Sequence, residues 1–137
     1  MNRLRYFQAF SALFAFKTIM DEKGNEYVVC RGSVCKSLTG IDDKTAFEAL
    51  ENHVHLLDCI NQKEAKQLES IGFDLGKALL ASLKFTYPDK NFYVFVTIHI
   101  GGSFIIRFHQ KWEGEPAYIN PDDFKNHKKE KIIMFQG

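Results

Sequence analysis

Hydrophobic and polar residues alternate most clearly between residues 92 and 111. Phe92 to Ile100 and Phe104 to Lys111 are dense in β-branched and aromatic residues, which are typical of strands. Gly101 to Ser103 lies between them and can form a three-residue turn, with a glycine at positive φ. The pattern therefore predicts a long β-hairpin at about residues 92–111.

The two faces of this hairpin differ in chemistry. A turn at 101–103 pairs Ile98 with Ile106 and makes one face wholly apolar, whereas a two-residue Gly101-Gly102 turn would place Arg107 among valines. The opposite face is aromatic, basic and polar, with Tyr93, Phe95, Thr97, His99, Ile105, Arg107, His109 and Lys111. We therefore expect the apolar face to be buried and the other face to be the working surface.

Apolar residues at helical spacing mark three earlier segments. The stripes are Leu4, Phe7, Phe10, Leu13 and Phe14 in an opening helix; Phe47, Leu50, Val54 and Leu57 in a helix capped by Asp42 or Asp43; and Ala65, Leu68, Ile71 or Gly72, Leu75, Leu79 and Leu83 in a helix from about Gln62 to Leu83. In the second segment, Thr45 to Glu48 also matches a capping box. We expect each stripe to face the core.

Shorter elements complete the pattern. Lys17 to Met20 and Glu26 to Cys30 flank a turn cluster at 21–25 and predict a short hairpin, although the first helix could instead run on to Met20. Asn120 can cap a short helix that begins at Pro121, and Lys131 to Phe135 predicts a last strand.

Together these elements predict one α+β domain over residues 1–137. Its antiparallel sheet is built around the 92–111 hairpin and is covered on one face by two to three helices. A chain of 137 residues, of which 45% are hydrophobic, is long enough to form a core without disulfide or metal support.

Charge and cysteine content narrow the expected partners. The chain has 18 basic and 17 acidic side chains, and a net charge of +1 is too small to favour binding to nucleic acid. We therefore expect no nucleic-acid partner. The three cysteines are an odd number without a C-x-x-C pair, which indicates a reducing compartment, and we expect the protein to be cytoplasmic. Tyr6 to Phe16 is too short to span a bilayer, and Gln8 and Ser11 interrupt its likeness to an export signal, so we expect no membrane partner.

Histidines are the main candidates for chemistry. His99 and His109, with Arg107 and Lys111, are residue types that a metal-independent ribonuclease uses, but four residues along a strand separate their positions by roughly 13 Å. Arg107 and His99 would be diagonal neighbours able to bind one anion. On a helix, His53 and His55 would face opposite ways and could not share a metal ion. We therefore predict no catalytic residues, no metal and no cofactor.

One family resemblance rests on the C-terminal part. Ser103 to Pro116, then Asp122-Asp123-Phe124 and Lys131 to Phe135, resembles the C-terminal half of small bacterial immunity proteins that are encoded with polymorphic or contact-dependent growth inhibition toxins. The resemblance implies a cytoplasmic protein without catalysis of its own, which binds and neutralises one cognate toxin domain.

The outer hairpin face is the predicted partner-binding surface, because aromatic residues and arginine are common anchors of protein interfaces. The predicted residues are Tyr93, Phe95, His99, Arg107, His109, Lys111 and Trp112. A competing surface is an acidic helix face around Glu48, Glu51 and Asp58. Two other functions stay open: a small nuclease or hydrolase that uses the hairpin His, Arg and Lys residues, and a phage or host regulatory binding module.

Overall fold

The structure of the protein is a computed structural model that describes residues 3–35 and 38–137. The elements are α1 (Arg3–Ala12), β1 (Phe16–Met20), β2 (Glu26–Cys30), α2 (Lys44–Glu51), β3 (His53–Leu57), α3 (Gln62–Thr86), β4 (Phe92–His99), β5 (Phe104–Gln110), a short 3₁₀ helix (Pro121–Phe124) and β6 (Glu130–Gln136). The α+β prediction is confirmed. Across the described ranges, no helix has the length and apolar character needed to cross a membrane.

The described strands form two antiparallel sheets. One has the order β3-β5-β4-β6, and the other is the β1-β2 hairpin, as predicted from the turn cluster at 21–25; the alternative, a first helix running on to Met20, is wrong. The inner face of the larger sheet packs against α3 and is buried, with Val94, Val96, Ile98, Phe104, Ile106 and Phe108 in the core. The predicted apolar hairpin face is therefore confirmed.

The hairpin turn lies one residue earlier than predicted. The amide of His99 donates to the carbonyl of Ser103 (3.2 Å), so the turn residues are 100–102, and Ile98 faces Phe104 rather than Ile106. Gly101 has the positive φ of 82°. This turn is docked on its surroundings, since the Gly101 amide donates to the carbonyl of Ile60 (2.8 Å). The shift is two residues in pairing, so each residue keeps its predicted face.

The helix predicted to run through Leu57 ends at Glu51. Val54 belongs to β3, which pairs with β5, and Leu50 is exposed instead of buried. Asp43 caps α2 as expected, but the predicted capping box at Thr45 is wrong. The box that the structure contains is Asn61 with Glu64, at the start of α3.

Helices α1 and α3 differ in how closely they pack on the core. In α1, Leu4 and Phe10 are exposed; Leu13, just beyond it, is fully buried; the Phe7 side chain lies outside what the structure describes. The core stripe of α1 is therefore narrower than predicted. On α3, Gly76 faces the ring of Phe135, and a Cβ atom there would overlap the ring, so glycine permits the close approach of α3 to β6.

Two buried polar side chains, Glu48 of α2 and Asn52 just after it, join the sheets. Glu48 accepts hydrogen bonds from the Val28 amide (2.9 Å) and from the amide and side chain of Gln110. Asn52 accepts from the Cys30 amide (2.9 Å) and donates to the Val28 carbonyl (2.8 Å). The side chains of Glu48 and Asn52 thus make the hydrogen bonds to β2 that a neighbouring strand would otherwise make, and Glu48 also bonds to the end of β5.

Candidate functional site

The segment 112–124 folds back over the outer face of the larger sheet; we call it the strap. Hydrogen bonds to α2 and β5 hold it. The Trp112 indole N–H donates to Glu48 (3.2 Å), the Glu115 carboxylate accepts from the Thr45 amide (2.8 Å), and the Tyr118 amide donates to Nε2 of His109 (3.1 Å). The strap therefore divides the outer face into a covered part and an open part.

His109 and Phe95 lie in the covered part and are buried. Both ring nitrogens of His109 are engaged, because Nδ1 donates to the Gln110 carbonyl (2.6 Å) while Nε2 accepts from Tyr118. Burial lowers the pKa of His109 and favours this neutral form. The structure corrects the sequence prediction here: neither side chain is available to a partner, and His109 is not placed to exchange protons with a substrate.

The remaining predicted residues are spread over different surroundings. The Lys111 ammonium lies 4.9 Å from the centre of the half-buried Tyr93 ring. Trp112 is half-buried between Lys44 and the ring of Tyr27. These side chains support the strap and its surroundings, so they are not a continuous exposed surface.

His99 is also separated from Arg107, which corrects the predicted shared anion site. His99 faces Glu130 and packs on the turn at Gly102, whereas Arg107 faces Phe95, four residues from His99 along β4. The shifted hairpin turn is the cause, since it moves Arg107 away from Thr97.

Strand β3 brings two unpredicted residues to the open part of the outer face. His53 faces Arg107 across the strands, and His55 faces Ile105. The two histidine rings are 5.5 Å apart between centroids. We define the open patch as the exposed or half-exposed residues His53, His55, Thr97, Ile105, Arg107 and Tyr118.

Arg107 is the fixed charge of the open patch. Its guanidinium lies 4.8 Å from the centre of the Tyr118 ring, in a cation–π contact. Among the described residues, no carboxylate lies within 4.0 Å of it. Arg107 is therefore oriented by the strap but not neutralised by a carboxylate of that part of the chain.

The alternation His53-Val54-His55-Leu56 was the signal for this arrangement. Sequence reasoning missed it because the same segment also continues the helical spacing of Phe47 and Leu50. On a strand, residues two apart share a face, so the two histidines lie side by side.

The predicted acidic helix surface is not present. Glu48 is fully buried, and Glu51 accepts a hydrogen bond from the Ser33 hydroxyl. Asp58 lies beyond β3, where it accepts from the Ser103 hydroxyl (2.7 Å) and contacts Nδ1 of His55 (3.2 Å). These bonds lower the pKa of Asp58. The three carboxylates therefore do not make one surface.

A cleft of about 800 Å³ lies between α1, β3 and α3 on the other side of the sheet. It is lined almost entirely by apolar side chains, namely Phe10, Phe14, Leu56, Leu57, Leu68, Ile71, Leu75, Ala78 and Phe104, with Asp74 at its edge. Phe10 is 48% exposed and Ile71 is 54% exposed, so the cleft is a second surface on which a partner could bind.

Comparison with known proteins gives a family. Residues 20–136 match the family described as Uncharacterized protein PM0498 family. The chain belongs to this family. The match includes the strap, the open patch and both sheets apart from the first residues of β1. A search of curated proteins found no match, and neither did a search of solved structures.

Proposed function

We propose that the protein is an immunity protein that binds and neutralises a cognate bacterial toxin domain, and that the toxin docks on the open patch. The observation that carries the proposal is the contact of Arg107 with the exposed ring of Tyr118. Tyrosine and arginine are enriched among the residues that contribute most to protein interfaces.

Preorganisation supports this surface. Arg107 stands on β5, which is hydrogen-bonded on both sides, and its guanidinium is held over Tyr118. An arginine that is already oriented loses less conformational entropy when a partner binds. Its planar guanidinium suits a carboxylate, so we infer an acidic side chain at the matching place on the toxin.

The test is calorimetry with a catalytically inactive form of the toxin domain encoded beside the gene. Arg107→Glu is expected to weaken binding by about 2 kcal/mol or more. The matched control is Lys66→Glu, because Lys66 is an exposed lysine of α3, on the opposite side of the sheet. It should leave affinity nearly unchanged.

Three outcomes would count against the proposal. If Arg107→Glu binds like the wild type while Ile71→Asp does not bind, the toxin docks in the apolar cleft. If the protein does not protect cells that carry the adjacent toxin gene, it is not an immunity protein. In that case, a binding partner unrelated to a toxin would favour the regulatory binding module. Hydrolytic activity of the purified protein would favour the enzyme instead.

A further inference from the structure

His53 and His55 lie side by side in the open patch, an arrangement that binding a protein partner does not require. They are two residues apart on β3, so both imidazoles project from the outer face, and their ring centroids are 5.5 Å apart. Both side chains are exposed. Imidazole nitrogen is the commonest metal ligand in proteins, so two adjacent exposed imidazoles can supply two ligands of a metal site.

The hydrogen bonds of the two rings leave the same nitrogen free on each. Nδ1 of His53 lies 2.6 Å from the Leu50 carbonyl oxygen, and Nδ1 of His55 lies 3.2 Å from the Asp58 carboxylate. A carbonyl or a carboxylate oxygen can only accept, so each Nδ1 carries the proton. In the neutral rings, each Nε2 therefore has a lone pair. The same second contact, to a carbonyl or carboxylate, orients histidine ligands in metal proteins.

The ring separation fits one cation. Two imidazoles bound through nitrogen to a tetrahedral Zn²⁺, with Zn–N of about 2.1 Å, have ring centroids about 5.3 Å apart. We propose that Nε2 of His53 and Nε2 of His55 bind a divalent cation of the Zn²⁺, Ni²⁺ or Cu²⁺ class, for which imidazole is a suitable ligand. Water completes the coordination, since no group of three or more His, Cys, Asp or Glu side chains in residues 3–35 and 38–137 could hold a metal.

The charged side chains around His53 and His55 allow a cation to bind there with modest affinity. Arg107 faces His53, but its guanidinium is drawn to the Tyr118 ring. Asp58 places a negative charge beside His55. This inference does not depend on the proposed immunity function.

The test is calorimetric titration of ZnCl₂ into the full chain, without a histidine tag, at pH 7.5. We expect one ion per chain. His53→Gln and His55→Gln should each weaken binding at least about tenfold, as ligand loss should cost no less than loss of a second-shell contact. His99→Gln is the matched control on the same sheet face and should bind like the wild type. Circular dichroism of each variant checks folding, which two exposed substitutions should not disturb.

A second measurement locates the ion independently of affinity. Substoichiometric Cu²⁺ should broaden the amide resonances of β3 and of its β5 partners around Arg107 before those around His127. No Zn²⁺ binding in the millimolar range, equal binding by His53→Gln, or first broadening at His127 would each overturn the proposal. Weaker binding at pH 5.5 is expected, because protonated imidazole is not a ligand.

Discussion

Glu48 has a location that its neighbours in the sequence do not reveal. The α2 pattern makes it a polar-face residue, yet it is fully buried and accepts from Val28, Gln110 and Trp112. These donors are 20 to 64 residues away along the chain. Only the meeting of the two sheets supplies them, so no local pattern could predict the burial.

This carboxyl group predicts a pH dependence of stability. Burial raises the pKa of Glu48 from 4.5 to about 7, although its four hydrogen-bond donors partly offset the effect. The folded protein then holds a proton that the unfolded chain releases, so the free energy of unfolding should fall as pH rises from about 4.5 to 7, by up to about 3 kcal/mol.

Urea unfolding at a series of pH values measures this effect. Glu48→Gln removes the titrating group, so we expect a variant that is less stable at pH 5, because its amide meets other donors, and whose stability changes less between pH 5 and 8. An unchanged pH dependence in Glu48→Gln would show that another group is responsible.

At the scale of elements, local periodicity was sufficient for α3, β4 and β5. Their patterns are long and unambiguous, and packing agrees with them. It failed at β3, because residues 53–57 fit both a helical and an alternating pattern. The edge of β5 decides between them by offering hydrogen-bond partners to a strand. The turn shift at 100–102 has a similar cause, namely docking on Ile60.

The contact of α3 with β6 predicts the effect of one methyl group. In Gly76→Ala the new Cβ would overlap the Phe135 ring, so the helix or the ring must move. We expect a net loss of about 1–3 kcal/mol in the free energy of unfolding, despite the better helix propensity of alanine. Ser70→Ala, at an exposed position of α3, should change stability by less than about 0.5 kcal/mol. Equal stability of the two variants would show that the approach is not tight.

At the scale of the whole molecule, the sequence predicted which face of the hairpin is apolar but not what covers the other face. The strap returns over Phe95 and His109 because Glu115 reaches the first turn of α2 and Trp112 reaches Glu48. Such contacts between distant segments have no periodic signature. Of the predicted binding residues, Arg107 keeps an open position, and β3 supplies neighbours that no pattern assigned to that face.

The two faces predict opposite responses at adjacent residues. Ile98 is 3% exposed on the inner face, so Ile98→Asp buries an unpaired charge and should abolish cooperative unfolding, at a cost above about 4 kcal/mol. Thr97 lies next to it on the outer face and is half-exposed, so Thr97→Asp should remain folded. Thermal melts followed by circular dichroism compare the two, and a cooperative melt of Ile98→Asp would contradict the assigned faces.

The attachment of the β1-β2 hairpin to the larger sheet has a consequence for motion. Val28 and Cys30 bond to the side chains of Glu48 and Asn52 rather than to a strand of the larger sheet. The hydrogen bonds of this joint are therefore separate ones and not a backbone ladder, and the rest of the joint is core packing, such as that of Phe16 on Phe108. Such a joint can open while the four-stranded sheet stays intact. The protein should therefore have two levels of unfolding: local release of residues 16–30 at a lower free energy, and global unfolding of the sheet with α3.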